Sequence, residues 1–192
     1  MKKNLGAIHS LYPMPIAIVG SMVEGKPNYM TIAHVGIINQ EAKRLVTLSA
    51  TKVHQTNKGI KENMTFSLNM PTESMVVETD YIGIYTGKKT DKSVVFEAFY
   101  GELKTAPMIS RCPVNMECKV LDVLDYSSHD VFIGEVMATY ANEQVLTDCV
   151  IDLAKVKPIL FDMNQRKYWK LGDQLANAWE IGKEYKAEAT EV

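Results

Sequence analysis

Two polar segments of the sequence carry side chains that could bind an anion at the start of a helix. Residues 28–33 and 49–57 place hydroxyls, amides and a lysine around a predicted helix start. Helix starts bind anions because their first backbone N–H groups are unpaired and carry partial positive charge. A hydroxyl and a lysine complete a phosphate pocket there without a glycine loop. The alternative is that Thr51 or Thr56 only caps the helix, which is the commoner role of such residues.

Other signatures of nucleotide or metal chemistry are missing or incomplete in the sequence. No G-x-G-x-x-G pattern follows a strand, so a Rossmann dinucleotide site has no support. Residues 83–90 resemble a phosphate loop, but they are one residue short before the Gly-Lys pair, and Lys89 stands where a magnesium-binding Ser or Thr belongs. The histidines are too widely spaced to predict a metal site. They are His9, His34, His54 and His129.

Strands and one helix must position the two polar segments. The apolar residues 16–23, the turn-forming residues 24–27 and the extended pattern of 28–33 predict a β-hairpin. Residues 45–49 are rich in β-forming types and predict a strand. Apolar or methyl-bearing side chains then recur at helical spacing, which predicts a helix starting after Thr51. They belong to Val53, Thr56, Ile60 and Met64.

The rest of the chain alternates short strands with two further helices. Residues 66–70 predict a strand, and 73–85 a helix. Residues 114–120 alternate as a strand with one buried face, whose phase slips at Leu121 as a bulge would cause. Residues 131–140 predict its hairpin partner across the polar turn 125–130, and 158–163 another strand. A last helix face is predicted from Leu171, Leu175 and Ala178.

Length and composition predict one globular domain. The chain has 192 residues, 46% of them hydrophobic and 23% charged, which fits a domain over residues 1–182 followed by a polar tail over 183–192. Many short strands, few helices and no repeated strand-helix unit favour a mainly β fold, an antiparallel β-barrel with peripheral helices. The net charge of −2 gives no basic excess, so nucleic acid is not an expected partner.

The cysteines and the termini predict a soluble, cytoplasmic protein. Cys112, Cys118 and Cys149 are odd in number and form no C-x-x-C pair, which fits reduced thiols. Cys112 and Cys118 lie roughly 20 Å apart along an extended chain, too far for a disulfide. Cys118 is predicted to be in the core, whereas Cys112, in a loop-like setting before Pro113, could be reactive. Neither a signal peptide nor a membrane span is expected.

At these residues the chain resembles the flavin reductase-like family, the FMN-binding split barrels that include short-chain flavin reductases and flavoredoxin. The resemblance extends from Tyr12-Pro13-Met14-Pro15 to residues 168–172, and its markers occur in a shared order. They are Asn28-Tyr29-Met30-Thr31, Ser49 with Thr56 and Ile60, residues 66–69, Asp91-Lys92, residues 112–118, His129 and residues 132–136.

The resemblance implies a homodimer that holds FMN near the subunit interface. It places Asn28 and the backbone around Met30–Ile32 at the polar edge of the isoalloxazine. The ribityl chain and phosphate would be held by Ser49, Thr51, Thr56 and Lys92. His129 and Phe161 would lie near the ring. The full set of expected cofactor-binding residues is Asn28, Met30, Thr31, Ile32, His34, Ser49, Ala50, Thr51, His54, Thr56, Asn57, Lys92, His129 and Phe161.

Two departures from the family pattern bear on the chemistry. His34 stands where flavoredoxin-like members can carry a tryptophan beside the flavin, so an imidazole replaces a stacking ring. Ser127-Ser128-His129 replaces the Gly-Asp-His sequence that is associated with nicotinamide use. No catalytic residue is certain, and His34 and His129 are the candidates near the ring.

The function implied is hydride transfer from NAD(P)H to FMN, with electrons passed on to an acceptor. Such a protein is an oxidoreductase in which the cofactor carries the chemistry and the protein positions and tunes it. Two alternatives remain: a flavoredoxin-like electron carrier reduced by a protein partner, and a flavin-binding module without catalysis. The choice between NADH and NADPH, the final electron acceptor and whether FMN is a prosthetic group or a substrate stay open.

Overall fold

The computed structural model describes residues 1–185 and shows a mainly β protein with antiparallel sheets, as the sequence predicts. The strands are β1 Met14–Pro15, β2 Ala17–Val23, β3 Lys26–Ile32, β4 Val35–Asn39, β5 Leu45–Thr51, β6 Thr65–Met70, β7 Ala98–Phe99, β8 Met108–Ile109, β9 Val114–Asp125, β10 His129–Ala141, β11 Leu146–Thr147, β12 Val150–Ile151, β13 Ile159–Asp162 and β14 Lys167–Lys170. The helices are α1 Gln55–Asn63, α2 Val76–Ile84 and α3 Leu153–Val156, with 3-10 turns at Glu73–Met75, Glu143–Val145 and Ile181–Glu184.

Seven strands form the main sheet, in the order β3-β2-β6-β9-β10-β5-β4. The two edge strands, β3 and β4, are consecutive in the chain and are joined only by Ala33 and His34. Such a short connection spans at most about 10 Å, whereas seven flat strands would extend over about 29 Å. The sheet therefore curls until its edges approach one another, which gives a split barrel that stays open at this junction. We call the junction at Ala33 and His34 the seam.

Apolar side chains fill the curled sheet and the space beneath α2. The barrel core includes Leu48, Phe66 and Phe132, each fully buried. A second cluster joins Tyr29, Met75, Ile82, Phe96, Ile109 and Cys112 with Ile18. The second cluster anchors α2 against β3, because Ile82 of the helix and Tyr29 of the strand both belong to it. This contact fixes the last turn of α2, which borders the candidate site.

Polar side chains on the outer face of β6 and β9 are buried and form a hydrogen-bond network. The sequence predicts a buried face on only one side of β9. Asn69 donates to the carbonyl of Ile18 at 2.9 Å and accepts from Asn115 at 2.8 Å. Glu117, fully buried, accepts from the backbone N–H of Leu103 at 2.8 Å. The predicted face of β9 is buried, and the opposite face is buried as well because the segment 98–109 covers these polar side chains and hydrogen-bonds them.

Most predicted elements are confirmed, including the bulge, while the last helix is wrong. The register skips Leu121, because Val120 pairs with Gly134 and Asp122 with Ile133. Residues 171–177 have no regular structure, and Leu175 is completely exposed. A short helix is stable mainly when its apolar face packs on a surface, and this segment has no such contact for Leu175. Of the predicted polar tail, 183–192, residues 186–192 lie outside the described residues.

The cysteine thiols Cys112 and Cys118 are both buried and both free. Cys118 is a core residue, as predicted. The reactivity of Cys112, which the sequence leaves open, is disfavoured by its surroundings: its sulfur packs 4.0 Å from that of Met75, and burial raises the thiol pKa to about 12. Among the helices of residues 1–185, none has the length and apolarity to cross a membrane.

Candidate functional site

A cavity of about 370 Å³ opens beside the seam, between the ends of β3, β5 and β10 and the last turns of α2. We call it the seam cavity. Eight of the fourteen residues expected to bind the cofactor line it, from four separate stretches of sequence. These eight are Thr31, Ile32, His34, Ser49, Thr51, His54, His129 and Phe161. The fold therefore brings together side chains that the sequence places up to 130 positions apart (161 − 31).

Polar groups and apolar walls both contribute to the seam cavity. Ile16, Ile84 and Phe161 supply apolar surface. Asp80 and Tyr168, which the sequence did not single out, lie on α2 and β14 and join through a hydrogen bond of 2.7 Å from the phenol to the carboxylate. Burial, and then the bond to Asp80, raises the pKa of Tyr168, so the phenol keeps its proton. Only the fold reveals this pair, because 88 positions separate the two residues.

Two imidazoles lie close together in the wall of the seam cavity. The ring centres of His34 and His129 lie 6.3 Å apart. Burial lowers the pKa of His34, and the neighbouring His129 and His9 lower it further. The hydroxyl of Ser128 lies 2.8 Å from Nδ1 of His129 and restricts its orientation. The backbone of His34 is fixed as well, since its carbonyl accepts from the N–H of Ser49 at 2.9 Å.

The start of α1 lies next to the seam cavity and has no side-chain cap. His54 occupies the cap position with extended backbone and makes no capping hydrogen bond. Neither Thr51 nor Thr56 caps the helix; the hydroxyl of Thr56 instead accepts from the amide of Asn28 at 2.8 Å. Because the first turn also holds no acidic residue, its backbone dipoles remain available to an anion.

Basic clefts continue from this helix start. His54 lines both the seam cavity and a cleft of about 520 Å³ whose walls include Lys52, Lys58, Lys61 and Lys88. Lys88 also lines a neighbouring cleft of about 360 Å³, together with Lys92. Residues 83–90 thus contribute a cation next to the helix start although their sequence departs from a phosphate loop. For that reason the sequence pattern alone does not mark Lys88 as a candidate residue.

Lys92 connects β3 to α2 from inside the protein. Its amine donates to the carbonyl of Tyr29 at 3.0 Å and to that of Ile82 at 2.7 Å. The side chain is buried, and burial lowers its pKa to about 8. A protonated amine carries three N–H donors, so one remains after these two bonds. Lys92 can therefore bind an anion only through that last donor.

The remaining expected residues lie outside the wall of the seam cavity. Met30 and Ala50 are part of the barrel core. Asn28 and Lys92 line the 360 Å³ cleft, and Asn57 lines the 520 Å³ cleft, where its amide donates to Asp130 at 3.2 Å. Thr56 is buried beside Asn28. In residues 1–185 no group of three or more His, Cys, Asp or Glu side chains is placed to hold a metal ion.

Comparison with known proteins identifies this architecture. Residues 9–169 match the flavin reductase like domain. The chain belongs to the flavin reductase-like family. Flavoredoxin from Methanosarcina acetivorans is 40% identical, with a TM-score of 0.92 over 95% of this chain and 98% of that one. Flavoredoxin of Desulfovibrio vulgaris (Miyazaki F) is 33% identical, with a TM-score of 0.87 over 95% of this chain and 100% of that one.

The chain is also similar to a protein of unassigned function. An uncharacterized protein of Archaeoglobus fulgidus is 29% identical over 129 residues, which are 66% of this chain and 72% of that protein. As a member of the flavin reductase-like family, the chain is a flavin-binding redox protein. The seam cavity is its candidate flavin site, because the family residues named from the sequence converge there.

Proposed function

We propose that the protein binds FMN with the flavin ring in the seam cavity and the phosphate at the start of α1. The observation that carries this proposal is the convergence of eight expected residues on one cavity that leads, through His54, to an uncapped helix start and to lysines. A flat tricyclic ring needs apolar walls and a polar edge, and the phosphate of FMN needs a separate anion-binding site. The cavity and the clefts supply these features in that order.

The residues of the chain fit the parts of FMN. Ile16, Ile84 and Phe161 offer apolar contact to a ring, and the end of β3 at Thr31 offers backbone donors to its polar edge. The uncapped N–H groups of α1 favour a phosphate, and Lys92 adds a charge-assisted hydrogen bond when it is protonated. Ser49 and Thr51 lie between the two ends, where a ribityl chain presents hydroxyls.

The leading reaction is hydride transfer from NAD(P)H to the flavin, with electrons then passed to an acceptor. A bound flavin supplies two-electron redox chemistry, so the protein needs no nucleophile of its own. The chain has to orient the ring, shield part of it from water and leave one side open to the donor. The seam provides that opening, because the sheet does not close between β3 and β4.

The second candidate is an electron carrier that a protein partner reduces. Two observations favour it: the similarity to two flavoredoxins, and Ser128 in the place of the acidic neighbour of His129 that is associated with nicotinamide use. Ser128 pairs with the imidazole and is neutral, so it cannot supply the negative charge of an aspartate. Both candidates use the same flavin site and differ in the donor.

Anaerobic mixing separates the candidates. The purified protein is loaded with FMN, and the flavin absorbance is followed after NADH or NADPH is added. Bleaching at a rate well above that of free FMN supports the reductase. A bound flavin that ignores both nucleotides and is bleached by a reduced small redox protein supports the carrier, and one that no biological donor bleaches indicates a binding module. Absence of FMN binding would contradict the whole proposal.

We further propose a homodimer of one domain per chain, over residues 1–182, in the cytoplasm. Ile37 and Ile38 on edge strand β4 are 71% and 48% exposed and give the strand an apolar surface suited to a second copy. The free thiols fit a reducing compartment. Light scattering on the eluting protein should give twice the 21.5 kDa chain mass, and replacing both isoleucines by lysine should give one chain mass.

A further inference from the structure

All four histidines of the chain gather at the seam cavity. His34, His54 and His129 line it. His9, from the N-terminal segment, is close enough to act electrostatically on His34. In the sequence these residues are separated by up to 120 positions (129 − 9), so the fold alone creates the cluster.

The other charges around the cavity leave this cluster without a free carboxylate. Asp80 of α2 is the acidic side chain in its wall, and the hydrogen bond from Tyr168 of β14 engages it. Lys92 acts on His54 with a further positive charge. On the outer side, Asp125 pairs with Lys52 and Asp130 pairs with Lys61. Within the wall, one carboxylate therefore faces three imidazoles, and Lys92 adds a further positive charge, so a second protonated imidazole has no negative charge to balance it.

This arrangement holds His34 neutral until an anion arrives. Two imidazoles whose centres are 6.3 Å apart disfavour double protonation, and desolvation on the side of the ring that lines the cavity lowers the pKa of His34 further. A negative charge inside the cavity opposes both effects, because it attracts the imidazolium form. The proton then comes from solvent, to which His34 is exposed.

We propose that His34 takes up one proton when the flavin in the seam cavity is reduced, while His129 keeps His34 neutral in the oxidised state. The inference rests on the proposed FMN site. The reductant, a nicotinamide nucleotide or a reduced redox protein, delivers two electrons. One proton binds the flavin, whose ring keeps one negative charge, and a second proton from water binds His34. The balance is two electrons and two protons for each reduction, with only one proton on the cofactor.

The test measures the midpoint potential of FMN-loaded protein against pH, together with the spectrum of the reduced flavin. One proton per two electrons gives about 30 mV per pH unit, and two protons give about 59 mV. The wild type should follow the steeper slope near neutral pH while its reduced flavin has the anionic spectrum. His34→Gln should follow the shallower slope with the same spectrum.

Two further variants separate proton uptake from a structural effect. In His129→Gln the neighbour that disfavours the His34 imidazolium is gone, so the steep region should move to higher pH. His9→Gln changes an exposed imidazole outside the cavity wall and should keep the wild-type slope, with a smaller shift of the steep region than His129→Gln gives. Nitrogen-15 NMR at pH 7.5 gives a direct check: the His34 ring should be neutral with oxidised FMN and protonated with reduced FMN.

The results that overturn the inference differ from those that overturn the proposed function. An FMN-loaded His34→Gln protein with the wild-type slope would show that the second proton binds elsewhere. A His34 ring that stays neutral in the reduced complex would show the same. A protein that binds no FMN at all would instead overturn the flavin site, and this inference with it.

Discussion

Binding of FMN should weaken with rising pH because of one buried amine. Lys92 has a single N–H donor left for a phosphate, and that donor exists only in the protonated form. Burial lowers the pKa of this amine to about 8, so the free protein loses the proton just above neutral pH. A bound phosphate stabilises the charged amine and raises its pKa. Linkage then requires that affinity falls as pH rises above the pKa of the free protein.

The size of the effect follows from that pKa. With a pKa of about 8, roughly one Lys92 amine in eleven is protonated at pH 9, so the Kd for FMN should rise about tenfold between pH 7 and pH 9. Removing the charge altogether by Lys92→Met costs a charged hydrogen bond, about 1.5–3 kcal/mol. At pH 7 that corresponds to a Kd roughly 10- to 150-fold higher.

Quenching of FMN fluorescence gives the Kd at each pH from 6.5 to 9.5. The wild type should show the tenfold loss, and Lys92→Met should bind weakly with a flat pH profile. Lys43→Met removes a charge of the same sign that is paired with Glu135 outside the clefts, and should behave as wild type. Equal pH profiles for wild type and Lys92→Met would refute the phosphate contact, provided that both proteins are folded by circular dichroism.

Three predictions concern stability. Burial favours the neutral form of Lys92 in the folded state, so the free energy of unfolding of the wild type should rise with pH between about 8 and 10.5. Relative to Lys92→Met in urea titrations, the rise should reach about 3 kcal/mol at most. Equal pH dependence of the unfolding free energy in the two proteins would contradict this. Glu117→Gln leaves the buried N–H of Leu103 facing an amide, so the free energy of unfolding measured in urea should fall by about 1–3 kcal/mol. The Kd for FMN should not change, and weaker FMN binding would contradict a purely structural role of Glu117. A Cβ at Gly59 would lie 2.2 Å from the carbonyl oxygen of Met22, so Gly59→Ala should push α1 off β2 and lower the thermal midpoint, whereas a raised midpoint would show that the helix can shift freely.

The sequence predicts the strands well because most of them have one strong local signal. The hairpin of β2 and β3 has a turn sequence between two extended segments, and Leu121 interrupts an otherwise regular alternation. Local patterns fail where a distant segment decides the outcome. By its alternation Glu117 belongs to the polar side of β9, yet residues 98–109 cover it, and the periodicity of the sequence carries no sign of that cover. The expected helix at Leu175 fails for the opposite reason, since its apolar residues find no surface.

The sequence predicts which residues form the candidate site but not how they contact one another. Ser49, Thr51 and His129 were expected near a flavin, and the seam cavity contains all three. The pair of Asp80 and Tyr168 was missed because only the packing of α2 against β14 joins them. Lys92 was expected as a free phosphate ligand, and its bonds to two carbonyls follow from the position of β3 beside α2, which the sequence does not specify.

The two-residue seam has a consequence for protein engineering. Ala33 and His34 form both the connection that makes the sheet curl and one wall of the seam cavity, so a change of length there would alter the architecture and the proposed flavin site together. Phe161 reaches the same pocket from β13, a strand of a separate three-stranded sheet. Libraries that aim to retune the cofactor should therefore randomise the β13 side and leave the spacing between β3 and β4 intact.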